Sequence, residues 1–434
     1  MSLIRATVRY ARSFTGFERD ARIFLLATVA FGILFSLWWI DFNLYLTALG
    51  FDPAFIGLTG AAWSVAGVVV ALPLSALSNR LGRRLVMIAG AVGASLSVAG
   101  LIFVTDPLAI IAFSAAMGAA SQTYFVLQSP MLMEHSRPEH RNELFSLQAA
   151  IMPATNIGAA LLGGIVAALV GTLVGVGSSD PAVYRALLVV MVVAAVLATI
   201  ALITLRDDRP SARRAGGSTD QPRGPRWRIP RLSDPGTFVR LLVPTFLIAL
   251  GAGQVIPFLN VFIEGKFGLD LTALNLIFAI TGLGTVLAMM AQPALARRFG
   301  KVGTVVLVQG LSIPFLLVLG FSPILWMVIA AMTVRTSLMN AGHPLANAFA
   351  MERLPASERA TYAAAASLLW SFAWAVAGPW YSLLQATLGF DAGYTENFVT
   401  VIVLYSLGTW LYWHWFHGVE ATPVGRSEPL PSSS

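Results

Sequence analysis

Two ionisable side chains, Arg335 and Asp41, stand inside long apolar runs. At bilayer depth such a group costs about 2.5–3.5 kcal/mol to insert and normally faces a bundle interior or water. Arg335 lies near the middle of its run, too far from either end for its head to reach an interface. Thr336, Asn340, His343 and Asn347 follow at spacings of 4, 3 and 4, which puts them on one helical face, with Arg335 about 100° to its side. A lone cation among amides and aromatics either recognises an anionic or amphipathic solute or forms an internal structural pair. Asp41 has Trp38 and Tyr45 on its own face at i−3 and i+4. A carboxyl so placed either takes up and releases a proton, as coupling to a proton gradient needs, or sits hydrated in a vestibule. Asn43 points about 160° away from Asp41, so the two do not share a cavity.

Other chemistry is thin. The five histidines, His135, His140, His343, His414 and His417, form no His-Glu-x-x-His pattern, and neither a Gly-x-Ser-x-Gly elbow nor a phosphate-cradling Gly-Lys-Ser/Thr loop occurs. With no cysteine, thiolate metal sites, disulfides and a Cys nucleophile are excluded. The expectation is a protein that is not an enzyme, has no cofactor or metal, and is driven by a gradient or works passively.

The elements that must position these groups follow from composition. Hydrophobic residues make up 57% of the 434 and charged residues 11%, with mean hydropathy +0.75, far from the roughly 25% charge of soluble domains. A bilayer core of about 30 Å takes about 20 apolar residues per helix, and runs of that length number twelve. Strand-like alternation is absent, which excludes an outer-membrane barrel. Six spans are expected between Arg22 and Leu205 and six between Thr237 and His417. The expected pieces are a tail at 1–21, a first bundle at 22–205, a linker at 206–236, a second bundle at 237–417 and a tail at 418–434. The first tail, with Leu3, Ile4 and Val8 among its arginines, either lies on the inner leaflet or hangs loose. The run that follows is too long for a signal-peptide core.

Net charge is +7, yet a nucleic-acid partner is rejected by where the charge sits. With both termini cytoplasmic, all but three of the 28 Lys and Arg (Arg185, Lys266 and Arg335) fall in cytoplasmic segments, as the positive-inside rule requires. The expected location is the cell's inner (plasma) membrane, crossed several times.

The chain is also doubled. Ser75 to Arg84 is a short basic turn between apolar runs, and Pro293 to Lys301 repeats its shape, Gly82 and Gly300 being 218 residues apart. Gly50-Phe51-Asp52 matches Gly268-Leu269-Asp270 and Met133-Glu134 matches Met351-Glu352 at the same offset, while Asn43 matches Asn260 at 217. Two similar sixes, a basic central loop and the turn carrying Leu77, Ser78, Arg80, Gly82, Arg83 and Arg84 together resemble the major facilitator superfamily. Its turn motif reads Gly-x-Leu-Ala-Asp-Arg-x-Gly-Arg-Lys/Arg, from which Ser75 and Asn79 depart.

The resemblance implies an all-α membrane protein of two pseudo-symmetric six-helix bundles, working as a secondary transporter. In that layout helices 1, 4, 7 and 10 line a cavity. Gln122, Tyr124, Gln128, Gln254 and Asn260 then join Arg335, Asn340 and His343 as substrate contacts, with Asp41 for proton coupling. A cytoplasmic gate is expected from Asn79, Arg80, Gly82, Arg83, Arg84, Glu134, Arg141, Arg298, Gly300, Glu352 and Arg359. Because Asn79 stands where the family has an acid, Glu134 and Glu352 are the candidates for the missing charge. The antiporter motif of helix 5 is incomplete: Gly163-Gly164 is present, permitting close helix packing, but the Gly-Pro is not. The expected partners are a small-molecule substrate, protons and membrane lipids, around a monomer. The alternatives are a proton-driven drug or lipid exporter and a non-transporting sensor on the same fold.

Overall fold

The computed structural model describes residues 17–134, 141–206 and 232–418; the side chains of Asn79, Glu134 and Arg141 are not among those described. The expected tail contacts before residue 17 and most of the central linker therefore lie outside the described residues. No strand occurs among the described residues.

The helices, in order, are α1 (Arg19–Ala48), α2 (Pro53–Leu81), α3 (Arg83–Phe103), α4 (Pro107–Glu134), α5 (Arg141–Val174), α6 (Pro181–Ile203) and α7 (Pro235–Phe267). The run Leu271–Phe321 breaks at Gly300 into α8 (271–299) and α9 (301–321). After α10 (Leu325–Arg353), the run Ala356–Phe416 breaks at Gly389 into α11 (356–388) and α12 (390–416). Ten helices among the described residues are long and apolar enough to cross a membrane. Dividing the last of these at Gly389 and adding the more polar α10 accounts for the twelve expected rods. Phe103 is 85% exposed and Leu173 83%, side chains that only an apolar solvent accommodates in such number.

The duplication reappears at atomic level. Gly50 and Gly268 both have positive φ, and the Asp two residues after each caps the next helix, Asp52 accepting from Phe55 N and Asp270 from Ala273 N, both at 2.8 Å. Gly82 (φ 94°) and Gly300 (φ 71°) turn the chain in conformations that a Cβ disfavours. One glycine also suffices at Gly389 (φ 75°), after which α12 resumes at Phe390.

Two helices are irregular at matching places. α1 contains a π-helical segment, Trp38–Phe42. α7 contains a 3₁₀ turn, Ile256–Phe258, around Pro257, whose ring excludes the carbonyl four residues back. The repeat offset of 217 carries the middle of one break onto the middle of the other.

The chain divides into two compact units. The first comprises Met1–Gly224, Ile256–Gly282 and Trp374–Tyr394; the second comprises Pro225–Val255, Leu283–Ala373 and Thr395–Ser434. In the first, α1 packs on α5 and α6, α2 on α4, and α3 on α4 and α6. The α2–α4 crossing depends on Gly118, where an added Cβ would fall 2.0 Å from the Trp63 carbonyl oxygen. Backbone cannot step aside as a side chain does. Gly118→Val is therefore expected to cost about 1–3 kcal/mol of overpacking or more, read as a lower thermal-unfolding midpoint of the detergent-purified protein. The second unit is centred on Phe238, Leu241, Val305, Phe349 and Tyr412, all buried.

Candidate functional site

In the first unit, the π segment of α1 gathers the polar groups. Asp41 is 1% exposed. Its Oδ1 accepts from Asn275 Nδ2 of α8 at 2.8 Å, and its Oδ2 is buried with no hydrogen-bond partner. Asn275 is fully buried; its Nδ2 also donates to Leu271 O at 3.1 Å, and its Oδ1 has no partner. Next to this pair lies a reciprocal contact between α1 and α7. Asn43 Nδ2 donates to Pro257 O at 2.6 Å, and Asn260 Nδ2 donates to Ile40 O at 2.7 Å. Donors and acceptors are both 217 residues apart, so each bond is the repeat image of the other. Asn43 and Asp41 do diverge, the first reaching α7 and the second α8.

Other expected substrate contacts of this unit have defined surroundings. Tyr124 is buried against Phe31 and Phe35, with ring centroids 4.6 and 5.9 Å away. Gln128 Oε1 accepts from Gln148 Nε2 of α5 at 2.8 Å. Gln122 is half-buried, near Gly67 of α2. Trp39, Trp63 and Trp374 meet edge to face, at 5.2 and 5.5 Å.

In the second unit, Arg335 is 4% exposed. Its Nη2 donates to the Tyr405 hydroxyl of α12 at 2.6 Å, and its guanidinium carbon lies 5.4 Å from that ring's centre. Its Nε has no partner, and among the described residues no carboxylate lies within ion-pair distance of it. His343 stands edge-on to Trp370 at 5.3 Å. Gln254 is fully buried with neither amide atom hydrogen-bonded. Asn340 is exposed and bonds back to Thr336 O at 2.9 Å on its own helix.

The expected gate residues fall partly outside the described side chains, at Asn79, Glu134 and Arg141. Arg80 is exposed. Arg83 Nη1 donates to Pro130 O at 3.4 Å, and Arg84 donates to Leu202 O at 3.2 Å and to Ile203 O, satisfying the last carbonyls of α6. In the second unit Glu352 pairs with Lys301, Arg298 lies over Phe299, and Arg359 Nε donates to Leu354 O at 3.1 Å. The Lys301–Glu352 pair is exposed, and such pairs contribute about 0–1 kcal/mol. Glu352→Gln is accordingly expected to leave the unfolding midpoint within about 2 °C of wild type.

Sequence reasoning missed Asn275, Tyr405 and Lys301. Lys301 was legible as the last residue of the repeated basic turn. Asn275 and Tyr405 gave only the weak signal of a single polar group in an apolar run.

Helical rods with exposed apolar sides, repeated in sequence and holding charged groups in dry interiors, define a multi-pass membrane protein. Residues 24–378 match the model of the Major Facilitator Superfamily, and the chain belongs to that superfamily. No curated protein sequence matches it significantly. Among solved structures, the nucleoside transporter NupG is similar at TM-score 0.69 and 13% identity, over 92% of this chain and 100% of that one. A D-xylose–proton symporter is similar at TM-score 0.70 and 14% identity, over 91% and 96%. A bacterial homologue of the human lysosomal transporter Spinster, inward-facing and occupied, follows at 0.68 and 14%, over 90% and 95%. At these identities the likeness is one of fold.

Proposed function

We propose that this chain is a secondary active transporter that moves a small anionic or amphipathic solute by alternating access, with Asp41 carrying a coupling proton. The observation that carries the solute class is Arg335. Among the described residues its one hydrogen-bond partner is a neutral hydroxyl, which satisfies one N–H and brings no counter-charge. A desolvated cation is costly until an anion meets it, and Gln254 in the same unit offers a further buried donor and acceptor. The proton is supported by Asp41, a buried carboxyl with no cation beside it among the described residues, and by the similarity in fold to a proton symporter. The positive-inside pattern supports cytoplasmic termini in an inner membrane, and the basic turns support a gate on that side. The Trp39–Trp63–Trp374 cluster favours, as a second reading, export of an aromatic or lipid-like amphiphile.

The test is a thermal-shift panel of small carboxylates, phosphates, nucleosides, sugars and cationic dyes on the purified protein, since a native-state ligand raises apparent stability. An anionic member should raise the midpoint of wild type and not of Arg335→Ala. Stabilisation by cationic dyes alone, unchanged in the variant, would overturn the anionic reading in favour of export.

A further inference from the structure

Asp41 and Asn275 meet in a site with unused hydrogen-bonding capacity. Two buried oxygens, Asp41 Oδ2 and Asn275 Oδ1, belong to side chains already hydrogen-bonded through their other atoms, and both lack a partner. On the α5 side the neighbouring wall is apolar or backbone. Ile40, Ala160 and Ala279 are buried together beside the pair. Gly163 of α5 supports the amide, a Cβ there falling 2.8 Å from Asn275 Oδ1. A hard metal cation takes six or more oxygen ligands, and the two orphan oxygens of this pair fall well short of that number. A carboxylic acid facing a primary amide needs only a proton to complete a ring of two hydrogen bonds. The acid hydroxyl then donates to the amide oxygen while the amide N–H donates to the acid carbonyl.

We propose that Asp41 and Asn275 form a proton-operated clasp between α1 and α8, in which Asn275 is the positioning residue that reads the protonation of Asp41. The proposal rests on the reading of Asp41 as the coupling residue. With the proton bound on Oδ2, a small rotation of the two terminal groups places Oδ2–H against Asn275 Oδ1, and both orphan oxygens are satisfied. With the proton released, a carboxylate and an amide oxygen share the dry site, which disfavours it. The closed clasp binds the proton better than the open one, so closure is favoured at low pH and is lost as pH rises. Among the described residues, titratable groups near it include Tyr45 of α1, on the face of Asp41, and Tyr184 of α6, packed on Tyr45 at 6.2 Å and with Asp41, Glu264 and Asp270 in its electrostatic surroundings. The α5 wall contributes Ala160, Gly163 and Gly164, none of which titrates.

The chain has no cysteine, so Leu49→Cys and Leu276→Cys spin labels report the α1–α8 distance in nanodiscs without background. In wild type, the ratio of short to long distances should rise roughly threefold or more per unit fall in pH, below the about tenfold ceiling that one proton sets. Asp41→Asn, an amide standing for the neutral acid, should lose this response. Asn275→Leu should lose it too, with Asp41 intact. Asn275→Ala serves if the leucine variant is not monodisperse, and Asn275→Gln should recover part of the response. A full response in the Asn275 variants that Asp41→Asn abolishes would overturn the clasp while leaving Asp41 as the proton site. A full response in Asp41→Asn, or none in wild type, would overturn both.

Discussion

Arg335→Ala is expected to weaken binding of the anionic solute roughly 10- to 150-fold, the loss of hydrogen bonds to a charged group worth about 1.5–3 kcal/mol. Isothermal titration with the ligand found by the thermal-shift panel measures it. Among the described residues the guanidinium has one neutral partner in a dry site, so little of its capacity is spent before the solute arrives. Arg335→Lys keeps the charge but not the planar fork, and should recover only part of the affinity. Tyr405→Phe separates a binding role from a structural one. If Arg335 serves only to brace α10 against α12, Tyr405→Phe and Arg335→Ala should lower stability alike and leave affinity untouched. If it meets the solute, Tyr405→Phe should cost affinity less than Arg335→Ala does, because the hydroxyl orients the cation and does not carry the charge. Equal affinity in wild type and Arg335→Ala would sink the solute-binding role.

The contrast between Arg335 and Asn275 shows what the sequence could carry. An arginine in the middle of an apolar run is conspicuous wherever it stands, because insertion is costly. Asn275 is as buried and as well placed, but a single amide is a weak signal, and its partner is 234 residues away. The doubling was legible because glycine and aspartate at turns are dictated locally: Gly50 and Gly268 turn, and Asp52 and Asp270 cap, without help from the rest of the chain. The break in α7 had a local cause in Pro257. The π segment of α1 contains neither Pro nor Gly, so nothing in the residues from Trp38 to Phe42 announced it. Its cause is tertiary, in the partners that Ile40, Asp41 and Asn43 find on α7 and α8.

The double variant Asn43→Ala, Asn260→Ala is expected to shift the α1–α7 contact toward its open form by about 2–4 kcal/mol, or some 30-fold and upward. Two effects combine in that figure. Each substitution removes an amide–carbonyl bond, which between membrane helices is worth about 0.6–1.7 kcal/mol. Each also strands an acceptor, Pro257 O or Ile40 O, in a helix break where the regular ladder is disrupted. The two bonds are repeat images on the same pair of helices, so losing the first loosens the second. The double-mutant cycle should accordingly give a coupling of about 0.5 kcal/mol or more. The readout is the rate at which a cysteine at Thr47 reacts with a membrane-impermeant maleimide from outside proteoliposomes. It should rise in each single variant and rise further in the double one, but by less than the product of the two. Unlike the Asp41–Asn275 clasp, these bonds carry no titratable group, so the acceleration should be the same at pH 5 and pH 8. Equal rates in wild type and the double variant would mean that the paired asparagines only pack the helices and do not hold them closed.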